Sequence, residues 1–231
     1  MDRKLLAWGR AATARGRHRA PGTHPPGTHP FPGPWLFTGA AAHGEAPARR
    51  KQPFPALWLF TDSHRLPDPR GAVSRLPRGR AGVVFRHDAH PHRAALGRAL
   101  ARICRARRLC LVVAGDTRLA AALGAGAHLR GGRWPGPIRV RARPGGFVTS
   151  SAHDAADLRR AARAGAGLVF LSPAFATASH PGAPSLGAAR WSSLARRARV
   201  PVAALGGIDG GSARRLPIRF CHAVGAIGAL A

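Results

Sequence analysis

The stretch that decides the fold spans residues 82–129 and reads GVVFRHDAHPHRAALGRALARICRARRLCLVVAGDTRLAAALGAGAHL. It contains three short apolar runs, at Gly82–Phe85, Leu109–Ala114 and Ala127–Leu129, separated by two longer segments whose apolar residues recur at helical spacing. Runs that are apolar throughout are typical of parallel strands with both faces covered, and helices between such strands supply the cover. This stretch therefore predicts a parallel sheet surrounded by helices.

The same alternation continues in both directions and covers residues 56–231. The other predicted strands are Leu57–Thr61, Phe147–Ser150, Leu168–Leu171, Val202–Leu205 and Cys221–Val224. The predicted helices are Pro69–Leu76, Pro91–Arg108, Thr117–Leu123, Asp154–Ala164, Ala188–Ala198 and Gly211–Leu216. Eight strands alternating with helices fit a small (β/α)8 TIM barrel. A doubly wound open sheet is the alternative, which the strand count and the lack of a GxGxxG motif after the first strand disfavour.

The first 52 residues have a different composition and are predicted to be a disordered extension. They are dominated by Pro, Gly and Arg, contain a repeated PGTH unit within Pro21–Pro30, and show no sustained strand or helix period. Their acid-poor start also resembles a transit peptide, and a start codon placed too far upstream explains the segment equally well. At the other end the chain stops seven residues after Val224, which leaves the barrel wall thin beside the first and last strands. The extension could cover that wall.

The formal charge of +28 comes almost entirely from arginine. Nucleic-acid or membrane-surface binding would explain it, but the arginines are spread along the chain and aromatic residues make up only 6%. Coding bias in a GC-rich genome is the favoured explanation, so we expect only non-specific polyanion binding at low salt. The three cysteines form no CxxC pair and no apolar stretch is long enough for a membrane span, so we expect a soluble cytoplasmic protein without disulfides or structural zinc.

In a TIM barrel the strand ends and the loops after them form the active face, so polar residues and glycines there are candidates for function. Gly206 and Gly207 follow the seventh strand, where backbone N–H groups can bind phosphate, although a tight turn would also need glycine. Arg86 follows the second strand and is either an anion clamp or one surface arginine among many. Asp116 could bind Mg²⁺ or cap the next helix, and His153 could be an acid–base residue or simply begin a helix.

Taken in order, the strand ends resemble those of the thiamine phosphate synthase and thiazole tautomerase family of barrels. The matching motifs are Thr61-Asp62, Val84-Phe85-Arg86-His87-Asp88, Gly115-Asp116, Gly124-Ala125, His128-Leu129, Ser151-Ala152-His153, Ser172-Pro173 with Thr177, Ser179 and His180, and Gly206-Gly207-Ile208. The resemblance covers roughly residues 56–231. It implies a TIM barrel with a phosphate-binding face.

For the synthase, the resemblance implies that a hydroxymethylpyrimidine diphosphate is joined to a thiazole phosphate with loss of diphosphate. Arg86 and Asp116 would hold the diphosphate and a Mg²⁺ cofactor, and Arg86, Ser151 and His153 would be the catalytic residues. The residues expected to line a mobile loop and the thiazole phosphate site are Thr177, Ser179, His180, Gly206, Gly207 and Gly228.

Four positions depart from the family pattern. Asp88 stands where a lysine is expected, Gly115 replaces a metal-site asparagine, Arg130 begins an RGGR segment in place of a second metal aspartate, and His180 replaces a lysine. These departures leave open a thiazole tautomerase with His153 as its proton shuttle, or a relative that only binds phosphate. A basic polyanion-binding protein is the hypothesis of another class, and homo-oligomer formation stays open.

Overall fold

The computed structural model describes residues 1–16, 54–135, 147–177, 182 and 184–231. The strands are β1 Leu57–Phe60, β2 Ala81–Phe85, β3 Cys110–Ala114, β4 Gly126–Leu129, β5 Val148–Ala152, β6 Leu168–Leu171, β7 Val202–Leu205 and β8 Cys221–Ala226. The helices are α1 Arg3–Gly16, α2 Arg70–Arg75, α3 Arg93–Arg107, α4 Thr117–Leu123, α5 Ala155–Arg163 and α6 Gly187–Arg196, with 3₁₀ helices at Ser212–Arg215 and Gly228–Leu230. The eight strands pair in chain order, all parallel, and close through β8 and β1. The predicted TIM barrel is confirmed.

Aromatic rings from two strands fill the barrel interior. Trp58 and Phe60 of β1 meet Phe170 of β6 edge to face, with ring centroids 5.6 and 4.8 Å from it. A small residue on β2 makes room for them, since a Cβ on Gly82 would lie 2.4 Å from the Trp58 ring. Alternate residues such as Leu59 belong to the second core, between strands and helices. These two cores explain why the strands are apolar on both faces.

The structure corrects the predicted disorder at residues 3–16, which form helix α1. Leu5, Trp8 and Ala12 lie at helical spacing and are buried, with exposed fractions of 0, 8 and 6%. The apolar stripe is narrow, and the arginines around it obscure its helical spacing in the sequence. Such a helix gains most of its stability from packing its apolar face against the rest of the protein. The rest of the predicted disordered extension, residues 17–52, lies outside the described residues.

Helix α1 lies beside β8, after which the described residues form only the short 3₁₀ helix Gly228–Leu230. Gly9 of α1 approaches β1 so closely that a Cβ there would lie 2.5 Å from the Leu57 side chain. The Asp2 backbone N–H donates to Ala229 O at 2.8 Å, and Asp2 Oδ2 accepts from the Gly210 N–H at 2.7 Å. The start of α1 therefore lies at the loops after β7 and β8, on the carboxyl-terminal face of the barrel.

All three cysteines are unpaired, as the sequence predicted. Burial raises the pKa of Cys104, Cys110 and Cys221 to about 12, so their thiolate forms are not populated at neutral pH. Within the described residues, no helix combines the length and the apolar character needed to cross a bilayer.

Candidate active site

The carboxyl ends of all eight strands open on one face of the barrel, because every strand pair is parallel. This is the face that carries the active site in TIM-barrel enzymes. It has two parts of different chemistry, which we name by their residues. The arginine half lies at the ends of β2 to β5 and contains Arg86, Arg93 and Arg130. The glycine half lies at the ends of β7 and β8 and contains Gly206, Gly207 and Gly228.

Arg86 stands at the end of β2, and its side chain is held from two sides. Its Nη2 donates to Asp62 Oδ2 at 3.1 Å, and its guanidinium lies over the Phe60 ring with Cζ 5.8 Å from the centroid. Burial acts to raise the pKa of Asp62, but hydrogen bonds from two backbone N–H groups and the Arg86 charge hold that pKa below its usual value. The Arg86 side chain is still 35% exposed, so it can contact an anion on the face.

His87 is a buried positioning residue next to Arg86. Its Nε2 donates to the carbonyl oxygens of Leu66 and Pro67 at 3.1 and 3.2 Å, and its Nδ1 accepts from the Thr61 hydroxyl at 2.9 Å. Burial lowers its pKa, which favours the neutral ring that this pattern of one donor and one acceptor needs. The Thr61 hydroxyl also accepts from the Arg86 backbone N–H at 3.0 Å. His87 therefore ties the loop after β1 to the strand end that carries Arg86.

Asp116 caps helix α4 and is paired with an arginine. Its Oδ1 accepts from the Leu119 backbone N–H at 2.8 Å, which is the capping role that the sequence allowed as one of two interpretations. Its Oδ2 accepts from Arg93 Nη1 at 3.1 Å, so each oxygen already accepts one hydrogen bond and one of them comes from a cation. In the part of the chain that the structure describes, no cluster of three or more His, Cys, Asp or Glu side chains is suited to a metal. Asp116 is thus a single carboxylate whose charge Arg93 already balances, which disfavours it as a ligand for Mg²⁺.

We expect Asp116→Ala to lower the free energy of unfolding by about 0.5–2 kcal/mol, the usual cost of losing an N-cap side chain. Asp116→Asn should cost less, because asparagine keeps an oxygen that can cap the helix. Urea unfolding of both variants measures the difference. Equal costs for the two variants would contradict the capping role.

The acidic and basic side chains of the arginine half form a chain of ion pairs. Arg93, the first residue of α3, donates to Asp116 and, at 3.0 Å, to Asp88 Oδ1. The other oxygen of Asp88 accepts from Arg130 Nη2. Arg93 is only 16% exposed and also donates to Ala114 O at 2.7 Å, whereas Arg130 is 61% exposed. The chain of ion pairs thus runs from the mostly buried Arg93 to the exposed Arg130.

Ser151 and its neighbour Ser150 hold the turn that follows Arg130. The Ser151 hydroxyl accepts from the Gly131 N–H at 3.2 Å, and the Ser150 hydroxyl accepts from the Gly132 N–H at 2.9 Å. The turn packs tightly on α5, since a Cβ on Gly132 would lie 2.5 Å from the helix backbone. The structure therefore gives Ser151 a positioning contact, and its catalytic role stays a prediction.

His153 lies between β5 and α5 and is exposed. Its Nδ1 donates to the Ser172 carbonyl oxygen at 2.8 Å. Because a carbonyl oxygen only accepts, Nδ1 carries the proton of the neutral ring and Nε2 keeps a lone pair. The helix start itself is capped by Asp154, whose Oδ1 accepts from the Asp157 N–H at 2.8 Å. In its neutral form His153 thus keeps Nε2 as a hydrogen-bond acceptor, and its acid–base role stays a prediction.

Gly206 and Gly207 form a turn that only glycine fits well. Their φ angles are +88° and +63°, in the region that side chains disfavour. A Cβ on Gly206 would lie 2.9 Å from Pro173, and one on Gly207 would lie 2.3 Å from the Ala176 carbonyl oxygen. The tight-turn interpretation is therefore correct for the backbone. Phosphate binding at this turn stays a prediction.

Gly228 begins the 3₁₀ helix after β8 and lies beneath an arginine. Arg65, from the loop after β1, places its Nη2 3.6 Å from the position of a Gly228 Cβ. This contact brings a cation to the glycine half. Thr177 is half-buried in the loop after β6. Ser179 and His180, predicted for the same loop, lie outside the described residues.

Arg65, Arg93 and Asp88 contribute to the face although the sequence did not single them out as site residues. Arginine is so frequent in this chain that an arginine near a strand end does not by itself indicate a functional residue, so Arg65 and Arg93 could not be singled out. The signal that was present is the acidic residue at position 88, where the family pattern has a lysine. In the structure that carboxylate accepts from two arginines, Arg93 and Arg130.

The fold and this face together define a TIM-barrel protein whose carboxyl-terminal face is lined by arginines and glycine turns. The family model described as thiamine monophosphate synthase matches residues 60–229, and the chain belongs to that family.

Individual relatives agree with this family. A protein of Aquifex aeolicus named "Putative thiamine-phosphate synthase 2" is 34% identical over 103 residues, which are 45% of this chain and 53% of that protein. The match thus spans about half of that relative. A thiamine phosphate pyrophosphorylase from Pyrococcus furiosus has a TM-score of 0.58 at 20% identity, over 75% of this chain and 85% of that one. FabK from Thermotoga maritima has a TM-score of 0.58 at 16% identity, over 76% and 58%. These two structural likenesses show the barrel alone.

Proposed function

We propose that this protein is a transferase that joins a hydroxymethylpyrimidine diphosphate to a thiazole phosphate to form thiamine phosphate. The thiazole nitrogen forms a C–N bond to the pyrimidine methylene carbon while the C–O bond to diphosphate breaks, and diphosphate leaves with that electron pair. Membership of the thiamine monophosphate synthase family supports the reaction class. The observation that carries the proposal to this chain is the division of the face into an arginine half and a glycine half.

The arginine half suits the leaving group. Negative charge on the diphosphate grows as the C–O bond breaks, so fixed cations stabilise the transition state more than the bound substrate. Arg86 is fixed by Asp62 and by the Phe60 ring, and it keeps an exposed guanidinium that can bind two oxygens of one phosphoryl group. The attacking thiazole nitrogen carries a lone pair and no proton, so the bond-forming step itself needs no general base.

The glycine half suits the monophosphate of the thiazole. Gly206 and Gly207 form the turn after β7, and Gly228 begins the turn after β8. Glycine turns at these two loops let a phosphate approach backbone N–H groups, and this is where TIM barrels commonly bind phosphate. Arg65 adds a cation beside Gly228. Thr177, with Ser179 and His180, would line the neighbouring loop after β6.

Isomerisation of a thiazole carboxylate phosphate is a second candidate function, favoured by one observation. The hydrogen bond from His153 Nδ1 to Ser172 O leaves Nε2 as a proton acceptor on an exposed residue. Such a reaction needs a group that takes up and returns a proton, and it needs no diphosphate clamp.

Product assays separate the two candidates. The full-length protein is incubated with both synthase substrates, with and without Mg²⁺, and thiamine phosphate is measured by chromatography. Thiamine phosphate is the expected product, and its absence at high enzyme concentration in both conditions overturns the transferase proposal. For the second candidate, His153→Ala should slow thiazole isomerisation by about 10²- to 10⁴-fold, the usual contribution of an acid–base residue. Isomerisation at an unchanged rate in that variant excludes it.

A further inference from the structure

We propose that the arginine half binds a diphosphate group with the guanidinium of Arg130 in the place where a metal ion would otherwise bind it. The identity of the ligand, a diphosphate group, rests on the proposed transfer reaction, whereas the site is defined by contacts among described residues. The starting point is the mismatch with a metal site. The carboxylate of Asp116 is already paired with the cation of Arg93, and Gly115 and Arg130 stand where the family pattern has metal ligands.

Arg130 fills the space that the glycine at position 115 leaves open. A Cβ on Gly115 would lie 3.3 Å from Arg130 Nη2 and 3.5 Å from its Cζ, so the guanidinium rests against the Gly115 backbone. Gly115 has a φ of +68°, which asparagine tolerates better than most residues. An asparagine side chain would nevertheless extend from that Cβ into the guanidinium. Glycine at 115 and arginine at 130 therefore form one arrangement, in which a cation replaces a ligand side chain.

The turn that follows Arg130 is rigid at its base. Hydroxyl groups of Ser150 and Ser151 accept from its two glycine N–H groups, and Arg160 Nε donates to the Gly131 carbonyl oxygen at 2.7 Å. A backbone fixed in this way lowers the entropy cost of holding the guanidinium over the face. Arg130 is thus an exposed cation on a preorganised support.

Asp88 is the resting counter-ion of Arg130. One of its oxygens accepts from Arg130 and the other from Arg93. The positive charges of Arg93 and Arg130 beside Asp88 repel a divalent cation, so Asp88 is a poor replacement for the missing metal ligand. A diphosphate carries more charge and more oxygens than a carboxylate. It can therefore replace Asp88 as the ion-pair partner of Arg130, while Asp88 stays paired with Arg93.

Arg86 and Arg130 both lie near His128, at the end of β4. His128 is buried against the Phe60 ring with centroids 5.6 Å apart, and Arg86 lies over that same ring. The Gly115 backbone, against which Arg130 rests, donates its N–H to His128 O at 3.4 Å. Burial lowers the pKa of His128 to about 3, and the charges of Arg86 and Arg130 both add to the lowering. An anion bound there would therefore meet two guanidinium groups. Each presents a planar fork of N–H donors, which matches phosphoryl oxygens.

Binding of inorganic pyrophosphate to the full-length protein tests the proposal. Isothermal titration calorimetry is run in EDTA and, in parallel, with Mg²⁺. We expect binding in EDTA, no gain from Mg²⁺, and a loss of about 10- to 100-fold in Arg130→Ala, the range for a hydrogen bond to a charged group. Arg163→Ala is the matched control, because it removes an equally charged exposed arginine at the last residue of α5. Its affinity for pyrophosphate should equal that of the unsubstituted protein.

Two further variants test the arrangement itself. Gly115→Asn restores the family side chain and should weaken pyrophosphate binding in EDTA, because the amide displaces the guanidinium. Asp88→Asn removes the charge of the counter-ion and should tighten binding. Circular dichroism and thermal unfolding establish that each variant is folded.

The outcomes separate this inference from the proposed function. Pyrophosphate binding that requires Mg²⁺, or that Arg130→Ala leaves unchanged, overturns the guanidinium site even if thiamine phosphate is formed. Binding in EDTA that depends on Arg130, together with no thiamine phosphate from the two substrates, supports the site and overturns the transferase. Tighter binding in Gly115→Asn also contradicts the inference.

Discussion

Leu5→Ala is expected to lower the free energy of unfolding of the whole barrel by about 2–5 kcal/mol, the usual cost of truncating a buried leucine. Leu5 has no exposed surface and belongs to the core between strands and helices. It nevertheless lies far before residue 60, where the match to the family begins. Urea unfolding followed by circular dichroism measures the loss as a shift of the midpoint.

Arg10→Ala is the control on the same helix. Arg10 is exposed, and arginine and alanine have similar helix propensities, so we expect a change within about 0.5 kcal/mol. A midpoint for Leu5→Ala that equals that of Arg10→Ala would show that α1 does not share its core with the barrel.

The position of α1 also links stability to the candidate site. Asp2, which precedes the helix, accepts from the Gly210 N–H and donates to Ala229 O. Gly210 belongs to the same loop as Gly206 and Gly207. Helix α1 therefore stabilises the wall of the barrel and, at its first residues, holds the loops of the glycine half.

The barrel could be predicted from sequence because its signals are local. Most strands are short apolar runs, as in Leu168–Leu171, with Gly167 before it and Ser172-Pro173 after it. Strand β5 is the exception, because Thr149, Ser150 and Ser151 are polar. Most strand residues are apolar because one face of each strand packs in the barrel interior and the other packs against the helices. Such a pattern is visible without any knowledge of which strands are neighbours.

Helix α1 and the role of Asp116 were harder for different reasons. The buried apolar residues of α1 are only three, Leu5, Trp8 and Ala12, and arginines lie between and around them in the sequence. The stripe is buried because α1 packs beside β8 and against Leu57, which are far away in the sequence. Asp116 suits a helix cap and a metal ligand equally well by position, and the choice depends on Arg93, 23 residues away.

The arginine half could not be derived from sequence because its contacts are long-range. Asp88 and Arg130 are 42 residues apart and meet only because β2, β3 and β4 end on one face. The sequence showed a carboxylate and an arginine at two departures from the family pattern. The sequence did not show that Asp88 and Arg130 form an ion pair, because their contact depends on the closed barrel.

For Arg86→Ala we expect kcat/KM for thiamine phosphate formation to fall by about 10- to 100-fold, as for the loss of one charged hydrogen bond at about 1.5–3 kcal/mol. Arg86→Lys should lose less, because lysine keeps the charge but not the planar fork that binds two oxygens. Stability should change little, since the partly exposed pair with Asp62 is worth about 0–1 kcal/mol. Steady-state kinetics with the pyrimidine diphosphate varied measures both variants.

The division of that loss between kcat and KM shows what Arg86 does. A guanidinium that stabilises the departing diphosphate lowers kcat when it is removed, whereas one that only attracts the substrate raises KM. The formal charge of +28 makes this distinction necessary, because so many cations attract any polyanion. Arg163→Ala removes the same charge at the last residue of α5. If it lowers kcat/KM as much as Arg86→Ala does, the effect belongs to the overall field of the protein and not to a site at the end of β2.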